Sequence, residues 1–262
     1  NNSQPPTCIM VNTLKTTAEE LTARLEEHRI TVAPHPWMEN CLLLSKTGAL
    51  EQLDAFQQGL FYVQDPASRL AAIAAAPAPG MRVLDACSAP GGKTFTLAEQ
   101  MENQGEVVAC DLYPARVGLI QSGAERLGLS IVHPRVMDAS APDESIGTFD
   151  RVLCDVPCSG LGIIRRKPEL KYKPVAEFEG LPGVQYGILT ACARLVKPGG
   201  VLVYSTCTLN RKENEEVIRR FLGEHPEFEP YAVTKDGGFF RTLLPETDGS
   251  DGFFFSAVRR IS

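Results

Sequence analysis

From residue 81 onward, short apolar segments alternate with segments of helical periodicity. The apolar segments predict five buried strands, at 81–85, 107–111, 131–137, 149–154 and 201–204. Glycine ends the intervening helices, as at Gly128 and in the segment 197–200. Because strands that alternate with helices form a mainly parallel sheet covered on both faces, we predict a Rossmann-like α/β domain.

A small unit precedes this domain. Thr17 and Glu20 have the spacing of a capping box, which predicts a helix that begins there. The same unit is predicted to contain strands at 30–32 and 41–44 and a second helix at 48–57. A proline-rich segment at 77–80 then interrupts the chain. We therefore predict a small N-terminal α+β subdomain with its connecting helix over 1–76, and the large domain over 77–262.

The composition is that of an ordinary globular protein, with 44% hydrophobic and 22% charged residues among 262. No apolar stretch reaches the length of a membrane span and no signal peptide opens the sequence, so we expect a cytoplasmic protein. The eight cysteines lack paired spacing, which favours reduced thiols and no metal site. No exposed apolar stripe is evident, so we expect a monomer.

Two cysteines follow predicted strands. Cys158 lies in Asp155-Val156-Pro157-Cys158-Ser159-Gly160, and Cys207 lies in Tyr204-Ser205-Thr206-Cys207-Thr208. Parallel α/β sheets bind ligands at the carboxyl ends of their strands, so we expect both thiols and the Asp155 carboxylate to face one crevice. A thiolate can add to an electron-poor ring carbon and later leave, while a second thiol or a carboxylate moves the protons.

The turn after the first strand of the large domain is rich in glycine. It reads Asp85-Ala86-Cys87-Ser88-Ala89-Pro90-Gly91-Gly92-Lys93-Thr94. Glycines let the backbone approach a ligand closely, and the helix that follows attracts polar groups to its N-terminus. The spacing excludes a phosphate loop, because Cys87 stands where that loop needs its first glycine, and it does not match a dinucleotide turn.

Acidic residues follow the next two strands. Asp111 ends the second strand, where a carboxylate can accept hydrogen bonds from ribose hydroxyls. Asp138 follows the third strand, where it could contact an adenine amino group. Each acid alone is more often a helix N-cap. Together with the glycine turn, they favour a nucleoside-bearing ligand.

The glycine turn, the Asp155–Gly160 segment and Thr206-Cys207 together resemble the Nop2/Sun family of S-adenosylmethionine-dependent RNA cytosine-5 methyltransferases. Within that family the resemblance is to bacterial enzymes that methylate a cytosine of small-subunit (16S) ribosomal RNA. It covers nearly the whole chain, and includes Val11-Asn12-Thr13-Leu14-Lys15 and Gly249-Ser250-Asp251-Gly252-Phe253-Phe254.

The resemblance implies a class I methyltransferase sheet of seven mostly parallel strands, and S-adenosylmethionine as the cofactor. The ribose would lie at Asp111 with support from Arg116, the adenine at Asp138, and Asp155 near both cofactor and base. Lys93 would hold the turn or a carboxylate. The residues implied to lie against the methionine and adenosine groups are Cys87, Ser88, Ala89, Pro90, Gly91, Gly92 and Lys93.

The resemblance also implies an RNA partner, ribosomal RNA first, and we expect the N-terminal subdomain over 1–76 to bind RNA. Our candidates for RNA phosphate contacts are Lys15, Arg165 and Arg166. The net charge of −6 gives no basic excess of the kind expected for nucleic-acid binding. The bacterial enzymes usually carry a further N-terminal helical RNA-binding domain, to which nothing in this sequence corresponds.

In the family the nucleophile is the cysteine after the fifth strand, which maps to Cys207. Asp155 would bind the base edge, and Cys158 would assist resolution of the covalent adduct. A competing assignment makes Cys158 the nucleophile, because DNA cytosine-5 methyltransferases use a Pro-Cys pair after the fourth strand. The spacing of the residues leaves this alternative open.

Other functions remain as alternatives. The chain could methylate cytosine C5 in tRNA, or act as a non-catalytic RNA assembly factor that binds S-adenosylmethionine. Intact Cys207, Cys158 and Asp155 argue against the assembly factor. A DNA cytosine-5 methyltransferase is disfavoured because the target-recognition insert of that class is absent from the sequence.

Overall fold

The computed structural model describes residues 6–262, and residues 1–5 of the predicted N-terminal subdomain lie outside the described residues. The strands are β1 (Thr7–Val11), β2 (Thr31–Pro34), β3 (Cys41–Ser45), β4 (Phe61–Val63), β5 (Arg82–Asp85), β6 (Glu106–Asp111), β7 (Val132–Val136), β8 (Phe149–Asp155), β9 (Val196–Thr206), β10 (Phe228–Pro230), β11 (Phe240–Leu243) and β12 (Phe253–Arg260). The α-helices are α1 (Ala18–Glu27), α2 (Asp54–Gln57), α3 (Pro66–Ala74), α4 (Gly92–Gln100), α5 (Pro114–Leu127), α6 (Leu181–Ala193), α7 (Glu215–Glu224) and α8 (Pro245–Asp248).

The small N-terminal sheet is antiparallel and has the order β2-β3-β1-β4. Helix α1 begins at the predicted capping box: Thr17 Oγ1 accepts from the Glu20 amide, and the Glu20 carboxylate accepts from the Thr17 amide. β1 and β4 were not predicted from the sequence. β4 has three residues and β1 is buried along most of its length, so neither strand shows the alternation that marks a half-buried strand.

The predicted helix over 48–57 is wrong as a single element. A 3₁₀ helix at Leu50–Gln52 is followed by α2, and the two are separated by Leu53. Leu53 adopts an extended conformation, with φ −73° and ψ 134°, which breaks the helical path between them.

The large sheet is mainly parallel, as predicted. Seven strands follow the order β10-β12-β9-β8-β5-β6-β7, and β11 pairs with β12 as an eighth strand. The five strands from β9 to β7 are parallel to one another, whereas β12 is antiparallel to β9. The chain moves outward from β5 through β6 to β7 and then returns to β8 on the other side of β5. The strand order therefore reverses between β5 and β8, and ligands of such sheets bind beside the carboxyl ends of the strands at this switch point.

The segment Lys197–Gly200 is not the terminator of α6, which ends earlier, at Ala193. It forms a bulge inside β9 instead: Phe149 pairs with Val196, but Arg151 pairs with Val201. Gly199 has φ +78°, and a Cβ on Gly200 would lie 2.8 Å from the Lys197 carbonyl oxygen. The glycines therefore serve a tight bulge in a strand.

The small sheet packs against helix α5 through buried polar contacts. Asn12 is fully buried, and its Nδ2 donates to the carbonyls of Gly59 and Leu127, each at 2.9 Å. A Cβ on Gly59 would lie 1.9 Å from the Arg126 carbonyl oxygen, so only glycine allows this approach. The small sheet is thus fixed against the end of α5.

Helix α3 packs on the large sheet, since its residues Ala67 and Ala71 are buried with Leu243, Phe253 and Phe255. The predicted division of the chain after residue 76 stays a prediction. Across residues 6–262, the helices are too short or too polar to cross a membrane.

Candidate active site

The candidate site lies where β5, β8 and β9 end. β8 is parallel to both β5 and β9, and Asp155 at the end of β8 lies in register with Ser205 of β9. Cys158 lies in the loop that follows β8, and Cys207 comes directly after β9. The sheet topology therefore brings the predicted catalytic residues together.

The two thiols form a pair. The Sγ atoms of Cys158 and Cys207 are 3.2 Å apart, and both side chains are partly buried. A hydrogen bond from Cys158 lowers the pKa of Cys207, and the positive charges of Lys93 and Lys167 act in the same direction. The same hydrogen bond, together with burial, raises the pKa of Cys158. The hydrogen bond therefore favours a thiolate at Cys207 over a thiolate at Cys158.

Asp155 is held from both sides. Lys93 Nζ lies 2.7 Å from Asp155 Oδ2, and Ser205 Oγ donates to Asp155 Oδ1 at 2.7 Å. Lys93 also lies over the ring of Phe253, 5.1 Å from its centroid. Lys93 thus holds a carboxylate, one of the two roles that the resemblance implied, and it connects the glycine turn to the end of β8.

The glycine turn needs its glycines. Gly91 has φ +115°, and a Cβ on it would lie 2.4 Å from Phe95 Cζ. Ser88 secures the turn to β6, because its amide and its Oγ both donate to the Cys110 carbonyl at 2.8 Å. Burial raises the pKa of the Cys87 thiol, so this cysteine stays protonated. The backbone of Ala89 and Pro90 completes the turn ahead of α4.

Asp111 and Arg116 form an ion pair at the end of β6. Arg116 Nη1 lies 3.2 Å from Asp111 Oδ2, and Arg116 Nη2 donates to the Ala89 carbonyl at 3.0 Å. The pair therefore links the end of β6 to the glycine turn. Asp138 accepts from the amide and the Oγ of Ser140, and these bonds lower its pKa. Asp138 is exposed, and its contact with the adenine of the cofactor stays a prediction.

Two buried acids near the site received no role in the sequence analysis. Asp85 Oδ2 accepts a hydrogen bond from Thr94 Oγ1 at 2.7 Å, whereas Asp85 Oδ1 has no partner in residues 6–262. Burial raises the pKa of Asp85 to about 7. Glu213 accepts hydrogen bonds from the loops of both cysteines. No pattern in the sequence singled out Glu213, which lies two residues before the start of α7.

The predicted RNA-contacting side chains have protein partners. Arg165 Nε donates to Asp251 Oδ1 at 2.6 Å, and its side chain is 9% exposed. Arg166 binds the other oxygen of Asp251 and lies 3.1 Å from Asp65 Oδ2. Lys15 Nζ donates to two backbone carbonyls, at 2.9 and 3.0 Å. A role of these three residues in RNA contact stays a prediction.

Comparisons with known proteins agree with this architecture. A family model described as 16S rRNA methyltransferase RsmB/F matches residues 72–259. A second model, for the ferredoxin-like domain of RsmF/B-like methyltransferases, matches residues 1–51. A relative in Bacillus subtilis (strain 168), a probable ribosomal RNA small subunit methyltransferase B, is 41% identical over 271 residues, which cover 98% of this chain and 60% of the relative. The chain spans about 60% of the length of the curated relatives it matches.

Two solved structures from Pyrococcus horikoshii share the fold. A methyltransferase homolog protein has a TM-score of 0.82 and 29% identity, and the match covers 98% of this chain and 87% of that one. The structure of NSun6 with SFG has a TM-score of 0.86 and 22% identity, with 99% and 92% of the two chains covered.

Proposed function

The chain belongs to the RsmB/F family of 16S rRNA methyltransferases, and from this premise we propose that it transfers the methyl group of S-adenosylmethionine to C5 of a cytosine in small-subunit ribosomal RNA. The observation that carries the proposal is the thiol pair, with Sγ atoms 3.2 Å apart, beside the Lys93–Asp155 ion pair. This arrangement supplies a nucleophile, a proton carrier and a fixed carboxylate in one crevice.

The residues around the glycine turn suit S-adenosylmethionine. SFG, the ligand in the NSun6 structure, is an analogue of this cofactor. The turn over 87–93 lacks side chains at Gly91 and Gly92, so backbone amides at the start of α4 can approach a ligand. Asp111, fixed by Arg116, has a carboxylate for the ribose hydroxyls. Bound there, the cofactor supplies an electrophilic methyl group.

Cytosine C5 is a weak nucleophile until C6 is attacked. The Cys207 thiolate forms a bond to C6, which moves electron density to C5. C5 then takes the methyl group as the bond from that methyl group to the sulfonium sulfur breaks and a neutral thioether leaves. The proton on C5 must then leave, and the C5–C6 double bond reforms as the C6–sulfur bond breaks and Cys207 regains its thiolate. Each cycle thus adds a methyl group, releases one proton and restores the enzyme.

Asp155 and Cys158 assist this cycle. The Asp155 carboxylate, held by Lys93 and Ser205, orients the base edge and stabilises the ring in the covalent adduct. Cys158 adjoins Cys207 and assists resolution of the adduct: once Cys207 is bonded to C6, Cys158 gives its proton to solvent, and its thiolate then takes the proton from C5. The target base must leave its stack to reach the thiol, so the substrate is an unpaired or flipped cytosine.

The experiment uses tritiated S-adenosylmethionine with unmodified 16S rRNA and tRNA transcripts, followed by digestion to nucleosides. We expect label in 5-methylcytidine from 16S rRNA. Label found only in tRNA would overturn the proposal that 16S rRNA is the substrate. Label in a nucleoside other than 5-methylcytidine would overturn the proposal that cytosine C5 is methylated. Cofactor binding without transfer to any RNA would favour a non-catalytic assembly factor.

A further inference from the structure

One buried carboxylate joins the loops of the two cysteines. Glu213 is 0% exposed and lies just before α7. Its Oε2 accepts from the Ser159 amide and from Gln185 Nε2, each at 2.9 Å. Its Oε1 accepts from Ser159 Oγ at 2.6 Å and from Asn210 Nδ2 at 2.9 Å. An ionised carboxylate has about four acceptor sites, and four donors approach this one.

The groups in this network are neighbours of the cysteines in the chain. Ser159 follows Cys158, and Gln185 Nε2 also donates at 3.0 Å to the carbonyl of Pro157, which precedes Cys158. Ser159 Oγ lies 2.7 Å from the hydroxyl of Thr208, which follows Cys207. The Glu213 network therefore holds the backbone on both sides of Cys158 and reaches the residue after Cys207.

The next residue holds the Cys207 loop. Asn214 Oδ1 accepts from Thr206 Oγ1 at 2.6 Å, and Asn214 Nδ2 donates to the Thr208 carbonyl at 3.0 Å. The Tyr204 hydroxyl donates to the Glu213 carbonyl at 2.5 Å. Both flanks of Cys207 are thus fixed to the same two-residue segment that fixes Cys158.

We propose that Glu213 is a positioning residue, which holds the Cys158 and Cys207 loops at the separation that lets the two thiols share a proton. The inference rests on the proposed function, because that function gives the thiol pair its purpose. Glu213 acts through Ser159, Gln185 and Asn210 and is not one of the reacting groups.

The acidic side chain is needed because all four partners donate. In residues 6–262, no lysine, arginine or histidine nitrogen lies within ion-pair distance of the Glu213 carboxylate, so hydrogen bonds alone offset the cost of its burial. Glutamine has nearly the same shape but presents an NH₂ group in place of one oxygen. In Glu213→Gln, two donors would face each other at this position, and one cysteine loop must move.

The pH dependence of Cys207 alkylation reports the thiol separation. The titratable groups that act on Cys207 are Cys158, Asp155, Lys93 and Lys167, and the hydrogen bond from Cys158 has the largest effect. Separation of the thiols removes that hydrogen bond and makes Cys207 ionise at higher pH. The rate of reaction with iodoacetamide, followed for the Cys207 peptide by mass spectrometry, measures this ionisation without RNA or cofactor.

We expect Glu213→Gln to raise the pH of half-maximal Cys207 alkylation by about one unit. Glu216→Gln, the same change at an exposed position three residues later, leaves it unchanged. Cys158→Ala raises it as well, and Glu213→Gln adds nothing in the Cys158→Ala background. In the transfer assay, Glu213→Gln lowers kcat by about 100-fold with KM for RNA unchanged, as expected for a misplaced catalytic group.

An unchanged Cys207 profile in a folded Glu213→Gln protein contradicts the proposal. A full additive shift in the Cys158→Ala background contradicts it too, since Glu213 would then act on Cys207 by another route. If Glu213→Gln does not fold, Ser159→Ala decides, because it removes the hydroxyl contacts and keeps the amide contact. A shift in the same direction supports the proposal and an unchanged profile overturns it. If the alkylation results hold but no RNA is methylated, the proposed function fails alone.

Discussion

The Sγ atoms of Cys158 and Cys207 lie 3.2 Å apart, although 49 positions separate the two residues in the chain. Their environments differ: the hydrogen bond between them lowers the pKa of Cys207 and raises that of Cys158. Of the two thiols, Cys207 is therefore the one that ionises at the lower pH. This asymmetry favours Cys207 as the nucleophile, a choice that the spacing in the sequence leaves open.

Asp155→Asn removes the charge that Lys93 meets at 2.7 Å and that the proposed function places beside the target base. We expect methyl transfer to fall by about 100-fold, because a fixed group near the reacting ring is lost. Initial rates with 16S rRNA measure this loss, and calorimetry with S-adenosylmethionine shows whether cofactor binding survives.

The matched control is Ser205→Ala, which removes only the hydrogen bond to Asp155 Oδ1. We expect Ser205→Ala to lower the rate of methyl transfer by about 10-fold, in line with the loss of one orienting hydrogen bond. Full activity of Asp155→Asn is the result that this account does not allow.

Gly91→Ala places a Cβ 2.4 Å from Phe95 Cζ at a residue with φ +115°. The clash and the strained backbone together should lower the free energy of unfolding by about 1–3 kcal/mol. S-adenosylmethionine binding should weaken as the turn shifts. Urea unfolding and calorimetry measure the two effects.

Gly118→Ala provides the comparison for Gly91→Ala, because Gly118 lies in α5 and a Cβ there meets nothing within 4 Å. This change should raise the free energy of unfolding by about 0.5–1 kcal/mol, since alanine loses less entropy in a helix. Equal stability of the two alanine variants would mean that the turn tolerates a side chain.

Asp85 makes the stability depend on pH. Burial raises its pKa to about 7 in the folded protein, from an ordinary value of 3.8. The folded state thus binds this proton more tightly than the unfolded state does. The resulting stability is complete below pH 3.8 and is lost as pH rises to about 7, by about 1.4 kcal/mol per pH unit.

Asp85→Asn should remove this slope between pH 5 and 7, as measured by urea unfolding at a series of pH values. Burial also raises the pKa of Glu99 to about 7, so a second slope should remain in Asp85→Asn. Glu99→Gln tests that remainder. A wild-type stability that stays level or rises across this range would show that neither carboxyl is protonated at neutral pH.

Central strands of the large domain could be predicted from the sequence because β5, β6 and the second half of β9 are buried and read as short apolar runs. The glycine turn could also be predicted from the sequence. Gly91 has φ +115°, a backbone conformation that residues with a side chain rarely adopt, so the turn is marked by glycine. β10 and β11 were missed because they are short and partly exposed, so packing against β12 rather than their own pattern defines them.

Contacts between distant parts of the chain could not be predicted from the sequence. Arg165 and Arg166 form a basic cluster in the sequence, but Asp251, 86 and 85 positions away, pairs with both. Likewise, the link between Glu213 and Ser159 spans 54 positions. Local patterns carry no information on such partners, which depend on how the loops after β8 and β9 meet.

The most direct test of the account is covalent capture of RNA. Cys158→Ala and Cys207→Ala proteins are incubated with S-adenosylmethionine and a 16S rRNA transcript, and the products are separated on a denaturing gel. We predict that Cys158→Ala accumulates a protein–RNA adduct, whereas Cys207→Ala and the double variant form none and transfer no methyl group. An adduct with Cys207→Ala but none with Cys158→Ala would reverse the roles of the two thiols and contradict the central claim.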